Sequence, residues 1–190
     1  MGGKGRGLAF LDLISKRNEE FFDYETTQIV IPKTVVICTD KFDEFMEQNN
    51  LYDIAYAEDL SDEEILNHFL EAKIPEDVWA DLRAFVNVIN TPIAVRSSSL
   101  LEDAHYQPFA GVYSTYMVPN NKDDVKSTLM KLGEAIKAVY ASVYYSGSRS
   151  YMTATKNVIS REKMAVVLQE VCGKAYGDRF YPSFSGVARS

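Results

Sequence analysis

The segment that most restricts how this chain can fold is residues 164–171, a continuous apolar run through Val166, Val167 and Leu168 that closes on Gln169 and Glu170. Such a run reads as a continuous apolar strand that ends in a polar pair. Other segments have the same character. Residues 28–38 are β-branched and apolar, with Pro32 at the start or at a bulge of the strand they predict. Ile93-Ala94-Val95 reads as a short strand, residues 111–118 as one rich in Tyr, Val and Thr, and residues 180–188 as a last one. Between them the period changes to that of helices. Leu8, Leu11 and Ile14 mark a helix of about three turns. Thr39 or Asp40 is placed to cap a helix carrying Phe42, Phe45 and Met46. Ser61-Asp62-Glu63-Glu64 fits a capping box ahead of Ile65 and Phe69. Pro75 opens a helix with Val78, Leu82, Phe85, Val86 and Ile89 on one face. Asn120-Asn121 makes a turn, and Val125, Leu129, Leu132, Ile136, Val139 and Val143 follow at periods of three and four, with a break expected at Gly147. Strands scattered among helices of unequal length define an α+β chain, a mixed sheet with flanking helices.

With 190 residues, 46% of them hydrophobic, the chain can bury the core of one substantial domain or two small lobes. Its formal charge of −7 argues against a general nucleic-acid binder, which needs clustered Lys and Arg. An anionic ligand must therefore be held by a local site. Cys38 and Cys172 form no CxxC pair, which suggests neither a zinc site nor a disulfide framework and implies a reduced, cytoplasmic setting. No apolar run approaches the ~20 residues of a membrane span, and no signal peptide opens the chain. The glycine turn at the first residues and the strand-like final ones lead us to expect a piece of a larger protein, truncated at both ends.

Four stretches have the residue types for ligand chemistry. Gly2-Gly3-Lys4-Gly5-Arg6-Gly7 reads as a glycine-rich turn whose amides, with the following helix dipole, suit an oxyanion, and Lys4 adds a cation. No Ser or Thr follows the Lys, so this is not a Walker loop; a plain flexible terminus is the competing reading. Ala94-Val95-Arg96-Ser97-Ser98-Ser99-Leu100-Leu101-Glu102-Asp103 delivers an arginine fork into a run of hydroxyls. Its Glu102 and Asp103 could hold Mg²⁺, pair with Arg96 or cap a backbone. In Phe109-Ala110-Gly111-Val112-Tyr113-Ser114-Thr115, Gly111 permits close approach of a ligand and Thr115 lies an even number of residues on, hence on the same face of a strand. Gln169 presents both hydrogen-bond polarities beside exposed main chain, which suits a flat polar ring such as adenine; a strand that simply reaches solvent is the competing reading, and the stronger one on these residues alone. The two histidines, His68 on an acidic helix and His105 in a loop, have no visible triad or metal partner.

Taken in order, GGKGxGLA, Ile31-Pro32, Ala94 to Ser99 with Glu102-Asp103, Phe109-Ala110-Gly111 with Thr115, and Met164-Ala165-Val166 to Gln169 resemble the nucleotide-binding domain of phosphoenolpyruvate synthase and pyruvate, phosphate dikinase. Glucan water dikinases and rifamycin phosphotransferases share that domain. The resemblance covers nearly the whole chain and implies that residues 1–190 are the N-terminal portion of an ATP-grasp domain. It implies Lys4 and Arg96 as phosphate-contacting cations, Gly111 and Thr115 as backbone and hydroxyl contacts to nucleotide, and Gln169, Glu170 and Val171 as the segment facing adenine. It implies ATP and Mg²⁺ as cofactors, the metal carboxylates lying in a second lobe after Ser190, so that no metal ligand is expected in this chain. No catalytic residue is expected here either: the family's phosphohistidine stands on a separate domain, and pyruvate binds at a further, remote one. The parent is thus expected to be a cytoplasmic phosphotransferase converting ATP, pyruvate and water to phosphoenolpyruvate, AMP and phosphate, with the fragment inactive alone and no nucleic-acid or membrane partner. Residues 104–108 depart from the family pattern. Two alternatives stand beside this one: a glucan or rifamycin acceptor on the same fold, and a non-catalytic nucleotide-sensing or protein-interaction module.

Overall fold

A computed structural model describes residues 2–21, 23–99, 111–155, 158–159 and 162–187. In chain order the described elements are α1 (Gly3–Arg17), the short strands β1 (Asp23–Tyr24) and β2 (Thr27–Gln28), β3 (Thr34–Ile37), α2 (Thr39–Gln48), α3 (Tyr52–Tyr56), α4 (Asp62–Glu71), α5 (Glu76–Val88), β4 (Ile93–Ser98), β5 (Thr115–Val118), α6 (Val125–Ala141), α7 (Ser146–Ala154), β6 (Ala165–Glu170) and a terminal pair, β7 (Lys174–Tyr176) and β8 (Arg179–Tyr181). Four of the strands form the main sheet in the order β3-β6-β4-β5, and each neighbouring pair is antiparallel. The remaining strands pair locally, β1 with β2 and β7 with β8. The apolar run at 164–171 thus supplies a central strand. Val166, Val167 and Leu168 are fully buried although successive side chains point to opposite faces, so the sheet is covered on both sides at this strand.

Register sorts the sheet into two faces, because side chains of directly paired residues point the same way. Ile93 and Val95 of β4, Val166 and Leu168 of β6, Tyr116 and Val118 of β5, and Val35 and Ile37 of β3 lie on one face. All eight belong to or pack against the hydrophobic core. Helices α2, α4, α5 and α6 supply the rest of that core through Phe42, Phe45, Phe69, Leu82 and Ile136. Aromatic rings fill its centre: Phe45 lies 5.2 Å from Tyr140 and 6.0 Å from Phe69 between ring centroids. Burial holds the Tyr140 and Tyr144 hydroxyls far above the ordinary phenol range, so both stay neutral. The opposite face, carrying Arg96, Thr115, Gln169 and Thr34, is left for something other than the core.

The helix starts follow the local chemistry. Ser61 closes a full capping box on α4, accepting from the Glu64 amide while the Glu64 carboxylate accepts from the Ser61 backbone. Donation from the Ser61 backbone N–H, and after it from the Ser61 hydroxyl at 2.7 Å, holds the Glu64 carboxyl below its usual pKa. Pro75 precedes α5 as expected. At α2 the position before the helix belongs to Cys38 rather than Thr39 or Asp40, and no side chain caps it. The break after α6 also differs from the expectation at Gly147. A 3-10 turn at Ser142–Tyr144 carries Val143, the chain extends at Tyr145, and Gly147 lies inside α7. Helix α3 carries no strong sequence signal, being only five residues long.

Three strand predictions shorten. In residues 28–38 only Thr34–Ile37 enters the main sheet, while Ile29 and Val30 are 50% and 62% exposed. Pro32 has no N–H for a ladder, and its carbonyl accepts instead from the Thr34 hydroxyl at 2.8 Å. In residues 111–118 the strand begins only at Thr115. Gly111 takes φ +80°, the Tyr113 ring is buried with its hydroxyl donating to Glu162, and the Ser114 amide donates to the Ser142 hydroxyl. Those three commitments bend the chain before pairing starts. In residues 180–188 the strand is the hairpin arm Arg179–Tyr181, turned by Gly177 at φ +63° and ended by Pro182. Ala188 lies outside the described residues.

Candidate functional site

Arg96 occupies the middle of β4, and its direct partners are Val167 of β6 and Thr115 of β5. Gln169 sits two residues further along β6, directly opposite Thr34 of β3. Alternation therefore turns Arg96, Thr115, Gln169 and Thr34 to one face, across all four strands of the sheet. The side chains touch. Arg96 Nη1 donates to Gln169 Oε1 at 3.1 Å, and Gln169 Nε2 donates to Thr34 Oγ1 at 3.1 Å. This row joins residues 73 and 135 positions apart in the chain. Arg96, Gln169 and Thr34 are half-buried and Thr115 is exposed, so the row faces accessible space rather than the core.

Helix α1 closes one end of this face. The Gly3 amide donates to the Ser99 carbonyl at 3.0 Å and the Gly5 amide to the Ser98 hydroxyl at 3.1 Å. Ser98 shares the face of Arg96 by alternation along β4. A β-carbon on Gly2 would fall 1.7 Å from the Ser98 carbonyl oxygen, so only glycine permits this approach. These contacts correct the expectation of a glycine turn preceding the helix. The helix begins at Gly3, and the amides of Gly3 and Gly5 serve the joint between α1 and β4 rather than a free oxyanion cradle. What this segment offers a ligand is the Lys4 side chain, half-buried on the docked first turn.

The other candidates stand further from the row. Gly111 lies four residues before Thr115, exposed and outside the strand, with no described residue beyond its chain neighbour within 4 Å of where a β-carbon would go. Glu170 pairs with Ile93, on the opposite face from Gln169. Its amide donates to the Lys33 carbonyl and the Val171 amide to the Pro92 carbonyl, both at 2.9 Å, so these two main-chain donors are engaged at the end of the sheet. His68 is exposed on α4. Glu102, Asp103, His105, the 104–108 stretch and Phe109-Ala110 lie outside the described residues. Among the described residues no group of three or more His, Cys, Asp or Glu is placed to hold a metal ion. No helix among them is long and apolar enough to cross a membrane. Thr34 is the participant that sequence reasoning passes over. Only strand register reveals it, because a threonine in a β-branched run looks like ordinary strand material.

A guanidinium fork, an amide of both polarities and two hydroxyls can grip an anion and read the edge of a polar ring. The fold is that of an α+β domain with a four-stranded antiparallel sheet. The chain belongs to the family of the pyruvate phosphate dikinase AMP/ATP-binding domain, whose model matches residues 1–190. A search of the curated proteins finds no match. Membership makes AMP or ATP the ligand of this domain and a phosphotransferase the kind of enzyme it serves.

Proposed function

We propose that the sheet face bearing Arg96, Thr115 and Gln169, with Lys4 at its α1 end, holds ATP for a cytoplasmic phosphotransferase of the phosphoenolpyruvate synthase type. The observation that carries this reading is the Arg96–Gln169 contact at 3.1 Å, which unites a cation and an amide from two strands on the face turned away from the core. Arg96 and Lys4 neutralise the polyphosphate, Thr115 and the Gly111 backbone contact the nucleotide, and the Gln169-Glu170-Val171 segment faces adenine. Phosphoryl transfer depends mostly on positioning and on neutralising charge, so cations held in place on a rigid sheet contribute directly. Mg²⁺, when bound, supplies further charge neutralisation at the phosphates. In the parent reaction ATP, pyruvate and water give phosphoenolpyruvate, AMP and phosphate, the phosphoryl group travelling on a histidine of another domain to pyruvate at a remote site.

The test compares ATP with adenosine in calorimetric titrations of the full-length protein. ATP is expected to bind at least about 10-fold more tightly, since each charge-assisted contact to its phosphates contributes roughly 1.5–3 kcal/mol. That advantage should shrink as salt is raised. Equal affinities for ATP and adenosine at low salt would contradict the assignment of a polyphosphate to this face.

A further inference from the structure

The hydrogen bonds around Gln169 assign its amide one orientation. Thr34 Oγ1 has a single proton, and it is directed to the Pro32 carbonyl at 2.8 Å. Toward Gln169 the same oxygen is therefore an acceptor, which requires the amide nitrogen at 3.1 Å. On the other side Arg96 has only donors, which requires the amide oxygen. Flipping the amide would set oxygen against a hydroxyl whose proton is already used, and nitrogen against a guanidinium N–H. Both ends oppose the flip.

We propose that Thr34 is a positioning residue that locks the polarity of Gln169 and thereby sets which purine this face accepts. The inference rests on the reading of Gln169 as the group facing the nucleotide base. Adenine and guanine present opposite polarities at corresponding edge atoms: the N6 amine of adenine donates where the O6 of guanine accepts. An amide free to turn satisfies either ring by exchanging its ends. A locked amide satisfies one and meets the other with like polarity, and an unmet polar group discriminates strongly. Specificity on this face is thus a property of the strand neighbour, two bonds removed from the ligand. Pro32 has its own part, because its carbonyl is what occupies the Thr34 proton.

The experiment measures ATP and GTP affinities by titration in the full-length protein carrying Thr34→Val, Thr34→Ser, Gln169→Met or Arg96→Ala. Thr34→Val keeps the β-branched shape and removes the hydroxyl. It is expected to lower the ratio of ATP to GTP affinity by about 3- to 10-fold, the scale of one neutral hydrogen bond. Thr34→Ser should restore the ratio, which a purely structural role for the threonine would not predict. Gln169→Met, which removes the amide without touching Thr34, should lower the ratio to the same extent, and Thr34→Ala, with the same lowered ratio expected, serves as the test of the hydroxyl if Thr34→Val does not fold. An unchanged ratio in Thr34→Val, with Gln169→Met lowering it and Arg96→Ala still weakening ATP, would overturn the role of Thr34 alone, whereas an unchanged ratio in Gln169→Met would overturn the reading of Gln169 as the group facing the base. Wild-type ATP affinity in Arg96→Ala would instead overturn the placement of the nucleotide on which the inference rests.

Discussion

Arg96→Ala is expected to weaken ATP binding by about 10- to 150-fold, the loss of roughly 1.5–3 kcal/mol that follows removal of a charge-assisted contact. The size of the effect follows from where the residue stands. Arg96 projects from a strand paired on both sides, so its backbone cannot shift to let another cation take its place. The residue is half-buried, and a contact made there is screened less by salt than one made on an open surface. The substitution also removes the donor to Gln169 Oε1, leaving one end of the amide without its partner. Stability should change little, because Arg96 lies on the face away from the aromatic core. Titration with ATP, alongside a melting curve, separates the two quantities. His105→Ala is the control, expected to weaken ATP binding less than Arg96→Ala does. Comparable losses in the two variants would count against Arg96 as a phosphate ligand.

Phe45→Ala should have the opposite signature, a large loss of stability without a specific effect on nucleotide. Phe45 is 0% exposed and its ring contacts those of Phe69 and Tyr140, joining α2 to α4 and α6. Truncating a buried phenylalanine typically costs about 3–5 kcal/mol, the transfer free energy of the ring plus the cavity left behind. Whole domains are stable by only about 5–15 kcal/mol, so this single change removes a large part of the total. Urea denaturation followed by tryptophan fluorescence provides the measurement. Trp79, the one tryptophan, packs half-buried against the same core. The midpoint should fall with the slope unchanged, as for a loss of packing within a two-state transition. A loss below about 1 kcal/mol would mean the aromatic cluster collapses around the gap, contrary to close packing of these rings.

Elements that carry their own boundary chemistry were legible before any coordinates. Ser61 with Glu64, Pro75, and the apolar faces of α5 and α6 each combine a start signal with a period, and each forms where those signals lie. Strand limits were not legible in the same way. Residues 28–38 and 111–118 have strand-like composition throughout, yet pairing begins only where a partner strand is available and the backbone is not held elsewhere. Pro32 decides the first case, and Gly111, Tyr113 and Ser114 the second. The site divides along the same line. Arg96, Thr115 and Gln169 could be picked out by residue type and family order, but their meeting on one face depends on the register of three strand pairs. Thr34 depends on register alone. The glycines misled, because a sequence does not distinguish a glycine that admits a ligand from one that admits a strand. Gly2 is of the second kind.

The most direct measurement is a crystal structure of the full-length protein with a non-hydrolysable ATP analogue. The proposed placement puts phosphate oxygens within hydrogen-bond reach, about 3 Å, of the Arg96 guanidinium and the Lys4 ammonium, with the base beside the Gln169 amide. A nucleotide seated elsewhere, with Arg96 and Gln169 still bonded only to each other, would contradict it.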